Sequence, residues 1–206
     1  MVEAAKAYRR GADLGILETQ QAISFVKRDF QDRLAAALDL TRVSSPLYVD
    51  ASSGVQDNLN GVERPVAFAA AQLTGTTFEI VHSLAKWKRQ ALADYGLPRG
   101  KGIYTDMNAL RPDEEDLSTG IHSIYVDQWD WEKVIDAQQR TLDTLRATVR
   151  SIYAAIKECE AAIARQFGLE PLLPPIIHFV HSEDLAAKWP AACRQEREDR
   201  ICKELG

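Results

Sequence analysis

Two alternating apolar runs, GIYTDMNAL (102–110) and IHSIYVDQW (121–129), separated by the acidic break RPDEED, constrain this chain more than any other feature. Alternation at period two is the signature of a strand, whose successive side chains point to opposite faces. A proline followed by four acids cannot extend either run and reads as a turn. The pair therefore predicts an antiparallel hairpin. Within it Gln128 and Asp130 share one face, and Trp129 and Trp131 take the other, which must be covered because tryptophans carry so much apolar surface. Arg111 closes the first run. Its planar fork can hold a phosphate or a carboxylate through two charge-assisted hydrogen bonds, which a lysine cannot do.

The rest of the chain supplies helices to flank such a sheet. Ile23, Val26, Phe30, Leu34 and Leu38 form a stripe of three-to-four spacing, which predicts a helix from about Thr19, its candidate cap, to Leu38. RVSSPLYVD (42–50) is rich in strand formers, but Pro46 cannot donate to a ladder and belongs at an edge or an interface. ASSGVQDNLNGVE (51–63) reads as a loop, and PVAFAAAQL (65–73) and TFEIVHSL (77–84) as strands joined by a Thr-Gly turn. AKWKRQALADYG (85–96) reads as a helix stopped by Gly96. From Ile135 to Phe167 runs the longest regular element, with Leu142, Leu145, Val149, Ile152, Ile156, Cys159 and Ile163 in three-four alternation. That seam suits a helix laid across a sheet or an interhelical coiled-coil contact. IIHFVH (176–181) reads as a further strand, and two short amphipathic helices close the chain. The fold class is α+β, a mainly antiparallel sheet flanked by helices.

Composition excludes several classes of function. A hydrophobic content of 46% against 27% charge in 206 residues describes one large globular domain or a substantial piece of one. No apolar run is long enough for a membrane helix and no signal-peptide stretch opens the chain, so no membrane partner is expected and the compartment is cytoplasmic. With net charge −5 and basic residues scattered among acids, no nucleic-acid partner is expected. The three cysteines, Cys159, Cys193 and Cys202, are unpaired in spacing and suggest neither a disulfide scaffold nor a zinc knuckle. No GxxxxGK[ST] loop is present to cradle a nucleotide.

Six blocks, QAISFVKRDF (21–30), GVQDNLNGVE (54–63), FEIVHSLAKWKRQ (78–90), GIYTDMNALRPDEED (102–116), IHSIYVDQWDWEKV (121–134) and IHFVHSEDLAAKWP (177–190), carry a resemblance. In this order they resemble the asparagine synthetase A family, the ammonia-dependent aspartate-ammonia ligases, from about Gln20 to the last residue. Residues 1–19 look like an extra N-terminal segment. The resemblance implies a class II aminoacyl-tRNA-synthetase-like catalytic fold without a tRNA-binding domain. It implies ATP and Mg2+ as cofactors, with L-aspartate and ammonia as substrates. ATP adenylates the aspartate side chain and ammonia displaces AMP. It also implies a homodimer built on the first helix and the Pro46 strand. The family continues where this chain stops at CKELG, so the catalytic fold is expected to be incomplete at its C-terminus. The remainder would hold further acidic metal ligands and a Gly-rich motif whose arginine grips ATP.

Carried over residue by residue, the resemblance makes Arg111 the catalytic and nucleotide-binding arginine, on the α-phosphate and the reacting carboxylate. Lys88, five residues after Ser83, becomes the ligand of a substrate carboxylate, and Ser83 a contact of the amino acid's backbone groups. Asp57 would bind the α-ammonium and Gln128 the amino acid, while Asp130 would reach the nucleotide. Each has a plainer reading. Arg111 could pair with Asp113 or Glu114, Lys88 could belong to a solvated helix face with Lys86 and Arg89, and Asp57 could be an Asx-turn residue. The acids 113–116 are mostly a solvated turn. His82, His122, His178 and His181 show no metal-ligand spacing and are expected to be structural, and no metal ligand is assigned. Two other functions compete: an adenylating enzyme for a different amino acid, and a non-catalytic or dimerisation fragment of the same scaffold.

Overall fold

A computed structural model describes residues 14–114, 117 and 122–205. Its elements in chain order are α1 (Ile16–Leu38), β1 (Leu40–Arg42), β2 (Tyr48–Asp50), β3 (Ala67–Ala69), β4 (Thr77–Ile80) and α2 (Ala85–Asp94), followed by β5 (Gly102–Leu110), β6 (Tyr125–Lys133), α3 (Leu142–Phe167), α4 (Ser182–Lys188) and α5 (Arg194–Leu205). The class is α+β. The strands form two three-stranded sheets, β1-β5-β6 and β2-β4-β3, in which only the β1–β5 pairing is parallel.

The long hairpin is the larger sheet's centre, in the register Gly102↔Lys133 to Leu110↔Tyr125. Gln128 and Asp130 face one side and Trp129 the other, as the alternation predicts. α1 covers the tryptophan side, with the Phe30 and Trp129 rings edge-to-face at 4.8 Å between centroids and Lys27 Nζ 2.9 Å from Asp127. The opposite side carries the core of Val81, Leu84, Met107 and Ala109, closed by Trp87 of α2 and by Val49 and Val126. Gly102 has a steric reason to be glycine: a Cβ there would lie 2.6 Å from Leu40 Cδ2 and would run into the Glu132 carbonyl.

Several boundaries differ from the sequence reading. The first helix begins at Ile16, with Gly15 at its N-cap, so Thr19 lies in the first turn and does not cap it. The first-segment boundary at residue 19 thus falls inside α1, and residues 1–13 lie outside the described ones. The long helix starts at Leu142 and not at Ile135, because two caps act in succession. Asp136 and Gln139 close a capping box on the 3-10 turn Ala137–Gln139, and the Thr141 side chain then accepts from Thr144 N–H. The 42–50 segment splits: residues to Arg42 join the larger sheet, Tyr48–Asp50 join the smaller, and Pro46 lies in the unpaired link.

Part of the α3 seam is covered by another helix of the same chain. α3 packs antiparallel on α1, with Phe25 against Phe167 and Arg33 Nη1 2.6 Å from Glu158. Ala155 and Cys159 are buried there, while Leu142 and Leu145 stay exposed. Residues 176–181 form no strand. The chain before them is tied to α3 side chains: Glu160 accepts from the N–H groups of Leu172 and Leu173, Lys157 donates to the Leu173 carbonyl and Tyr153 to that of Pro174. No described strand lies beside residues 176–181 to supply a ladder.

Candidate functional site

The site is built on the face of the hairpin opposite α1, where β4 runs into α2. Val81 to Ser83 carry the chain from the small sheet to the helix, and Leu84 N-caps α2 without a side-chain bond. Ser83 Oγ instead accepts from Ala85 N–H at 3.2 Å and donates to the Asp57 carboxylate. Asp57 is held against the start of α2 rather than turned into its own loop. Its sequence neighbour Gln56 is buried, a residue the motif reading passed over.

Lys88 lies one turn into α2 and is almost fully buried, its side chain 8% exposed. Burying an ammonium is affordable only with a counter-charge and hydrogen bonds. Both come from β6: the Asp130 carboxylate accepts directly from Nζ, the Trp131 carbonyl accepts at 3.0 Å, and Glu132 Oε2 lies 3.8 Å away. The solvated-face reading of Lys88 is therefore excluded, although Lys86 and Arg89 beside it are exposed. Gln128, two residues before Asp130 on the same face, rests its amide nitrogen 3.6 Å from Met107 Sδ, a weak partner.

Arg111 follows β5 directly, its N–H bonded to the Ile124 carbonyl at 2.8 Å. Its guanidinium reaches back to the link between β4 and α2, where Nε (3.3 Å) and Nη2 (3.1 Å) share the His82 carbonyl. The fork is thereby oriented by backbone rather than by a carboxylate. Asp113 does not pair with it. Arg64 takes that carboxylate through its own N–H at 2.7 Å and through its guanidinium, with Nε at 3.0 Å, and this holds the Asp113 carboxyl down at about 2. Glu115 and Asp116 of the acidic turn lie outside the described residues.

The histidines divide. His82 is wholly buried under the site, with neither ring nitrogen hydrogen-bonded, and its backbone N–H and carbonyl are held by Gln56 and Arg111. His181 caps α4 by accepting from Glu183 N–H at 3.2 Å. His122 and His178 are exposed. Among the described residues no group of three or more His, Cys, Asp or Glu is placed to hold a metal ion. Likewise no described helix is long and apolar enough to cross a membrane.

Asp57–Ser83, Lys88–Asp130 and Arg111–His82 thus join the loop, β4, α2 and both strands of the hairpin into one constellation of fixed charges. The aspartate-ammonia ligase family model matches residues 17–206. The chain belongs to the aspartate-ammonia ligase family. The aspartate–ammonia ligase of Limosilactobacillus fermentum is 52% identical over 194 residues, covering 94% of this chain. That of Clostridium perfringens strain SM101 is likewise 52% identical over 194 residues. The chain spans 57% of the length of these relatives. Among solved structures, a pyrrolysyl-tRNA synthetase from Desulfitobacterium hafniense is similar at 14% identity and a TM-score of 0.45, covering 62% of this chain and 46% of that one. All six predicted site residues fall within the span matched by the ligase family.

Proposed function

We propose that this chain carries the aspartate-activating part of an ATP-dependent aspartate-ammonia ligase on a class II synthetase-like catalytic fold. An aspartate side-chain oxygen attacks the α-phosphorus of ATP and pyrophosphate leaves, giving β-aspartyl adenylate. Ammonia then attacks the acyl carbon, AMP departs with the C–O electron pair, and the nitrogen loses a proton to give L-asparagine. The observation that carries this reading is the buried Lys88 ammonium, held by Asp130 on the polar face of the hairpin. A cation fixed at that depth has already lost its water and can take up a substrate carboxylate with no further desolvation of the lysine itself.

The other roles follow from the same geometry. Asp57, held by Ser83, offers a negative charge for the α-ammonium, and Gln128 an amide that its weak sulfur partner would yield to the amino acid. Arg111, oriented by the His82 carbonyl, grips the α-phosphate and the reacting carboxylate as charge builds on phosphorus. Asp130 takes the nucleotide side of the site. Magnesium would arrive on the ATP phosphates; the described residues do not fit a protein-held ion, and no step is assigned to one.

The partner surface fits a second copy. Leu47 and Tyr48 beside Pro46, with Phe68 next to them, are exposed, as are Ile16, Leu17 and Ile23 on α1. These exposed apolar residues suit a twofold homodimer in the cytoplasm. Aspartate-dependent exchange of pyrophosphate into ATP by the protein tests the activity. Exchange with aspartate supports the ligase reading, exchange with another amino acid supports an adenylating enzyme of different specificity, and no exchange with any amino acid supports a non-catalytic module.

A further inference from the structure

The β3 edge of the small sheet ends one rung early. The last bond of the ladder runs from Ile80 N–H to the Val66 carbonyl at 2.9 Å, while Arg64, which would meet His82 on the next rung, turns its N–H to Asp113 at 2.7 Å. In a strand, the N–H and carbonyl of residue i and the N–H of residue i+2 face one edge. The Ile80 carbonyl and the His82 N–H are therefore the next groups on that edge, and His82 is fully buried, so water cannot satisfy its N–H. Gln56 fills the rung. Its Nε2 donates to the Ile80 carbonyl at 2.9 Å and its Oε1 accepts from His82 N–H at 3.1 Å, with the residue 5% exposed. An amide is the only uncharged side-chain group that offers a donor and an acceptor side by side, as a peptide does.

The rung is also an anchor. The Gln56 carbonyl accepts from Lys86 Nζ at 2.8 Å, so side chain and main chain are both fixed to the β4–α2 connection. Asp57 follows immediately and meets Ser83, while His82, whose N–H Gln56 holds, carries Arg111 on its carbonyl. We propose that Gln56 is a positioning residue of this site, its side-chain amide serving as a surrogate strand that sets Asp57 at the distance needed to receive the substrate's ammonium group. This rests on the ligase reading for the identity of the substrate, but not for the anchoring itself.

Two variants and two readouts separate these. Gln56→Glu keeps the acceptor for His82 N–H and turns the donor toward Ile80 into a repelling oxygen; Gln56→Leu removes both. In each, amide hydrogen exchange in residues 54–64 should quicken by about tenfold or more, the scale of one or two lost buried hydrogen bonds, with β5 and β6 unchanged. In pyrophosphate exchange, the aspartate KM should rise by about tenfold or more, with kcat and the ATP KM within about twofold. Unchanged exchange in 54–64 in a folded variant overturns the proposal, as does a uniform fall in kcat with the aspartate KM intact. If wild type exchanges no pyrophosphate while both variants loosen 54–64, the anchoring stands and the ligase reading falls. Should Gln56→Leu fail to fold, the isosteric Gln56→Glu carries both readouts.

Discussion

Replacing Lys88 with methionine tests the central ion pair. The change keeps the stem's length and packing but removes the ammonium, leaving Asp130 (side chain 16% exposed) and the nearby Glu132 (30%) without their cation. Breaking a buried pair from one side costs about 3–5 kcal/mol. Because both carboxylates keep some solvent, the low end applies, about 3 kcal/mol, or a fall of about 6–12 °C in Tm for a chain of this size. Urea unfolding of wild type, Lys88→Met, Asp130→Asn and the double variant is the assay. Asp130→Asn alone strands the lysine and should cost a similar amount. The double variant should cost less than the two singles added together, by about 2 kcal/mol. A Lys88→Met variant within about 1 kcal/mol of wild type, or additive behaviour, would refute the reasoning, because exposed pairs behave that way.

Three further outcomes are expected. Arg111→Lys keeps the charge but loses the two-pronged hold on the His82 carbonyl, so turnover in aspartate-dependent exchange should fall by about 100-fold with a much smaller change in aspartate KM. The Arg64 guanidinium holds the Asp113 carboxyl at about 2, below its ordinary 3.8. A depressed carboxyl contributes stability that is complete above the unfolded value and lost as pH falls to the folded one. Between about pH 4 and pH 2, wild type should therefore lose stability more steeply than Arg64→Ala in acid titrations followed by circular dichroism. Burial, with the neighbouring Asp29 carboxylate adding to it, pushes the Cys159 thiol to about 11 from an ordinary 9.0, and Cys193 and Cys202 are exposed. A disulfide reagent at pH 8 should thus label the two exposed thiols rapidly and Cys159 far more slowly, because Cys159 is buried and little of it is thiolate at that pH.

What the sequence made legible tracks how local the cause is. The 102–133 hairpin and its two faces follow from alternation alone, because period two leaves each side chain one side to occupy. Gly96 and Gly168 mark the ends of α2 and α3, both with positive φ. The start of α3 was misjudged because the apolar pattern runs on through Ile135, whereas the stop signal lies in the polar side chains of Asp136 and Thr141. The heptad seam was visible, but not its partner. A pattern states that a face is buried and is silent on whether a sheet or a helix 125 residues earlier covers it, as α1 does through Arg33 and Glu158.

The site shows the same division between type and partner. Motif resemblance found Lys88 and Asp130 separately, as a substrate ligand and a nucleotide contact, and nothing in the spacing said that they touch. Their contact changes the chemistry expected of each. A lysine already paired in the absence of substrate is desolvated in advance, so an incoming carboxylate must share it with Asp130 rather than draw it out of water. Affinity for a carboxylate at that position would then be weakened by the resident carboxylate, and in the proposed site Asp57 would gain importance, because it would attract the ammonium group that a simple dicarboxylic acid lacks. On the proposed reading the arrangement would favour a zwitterionic amino acid over succinate-like acids. It would do so through Asp57, whose placement depends on the glutamine beside it, a residue no charge pattern would mark because its partners are two backbone atoms 24 and 26 residues away.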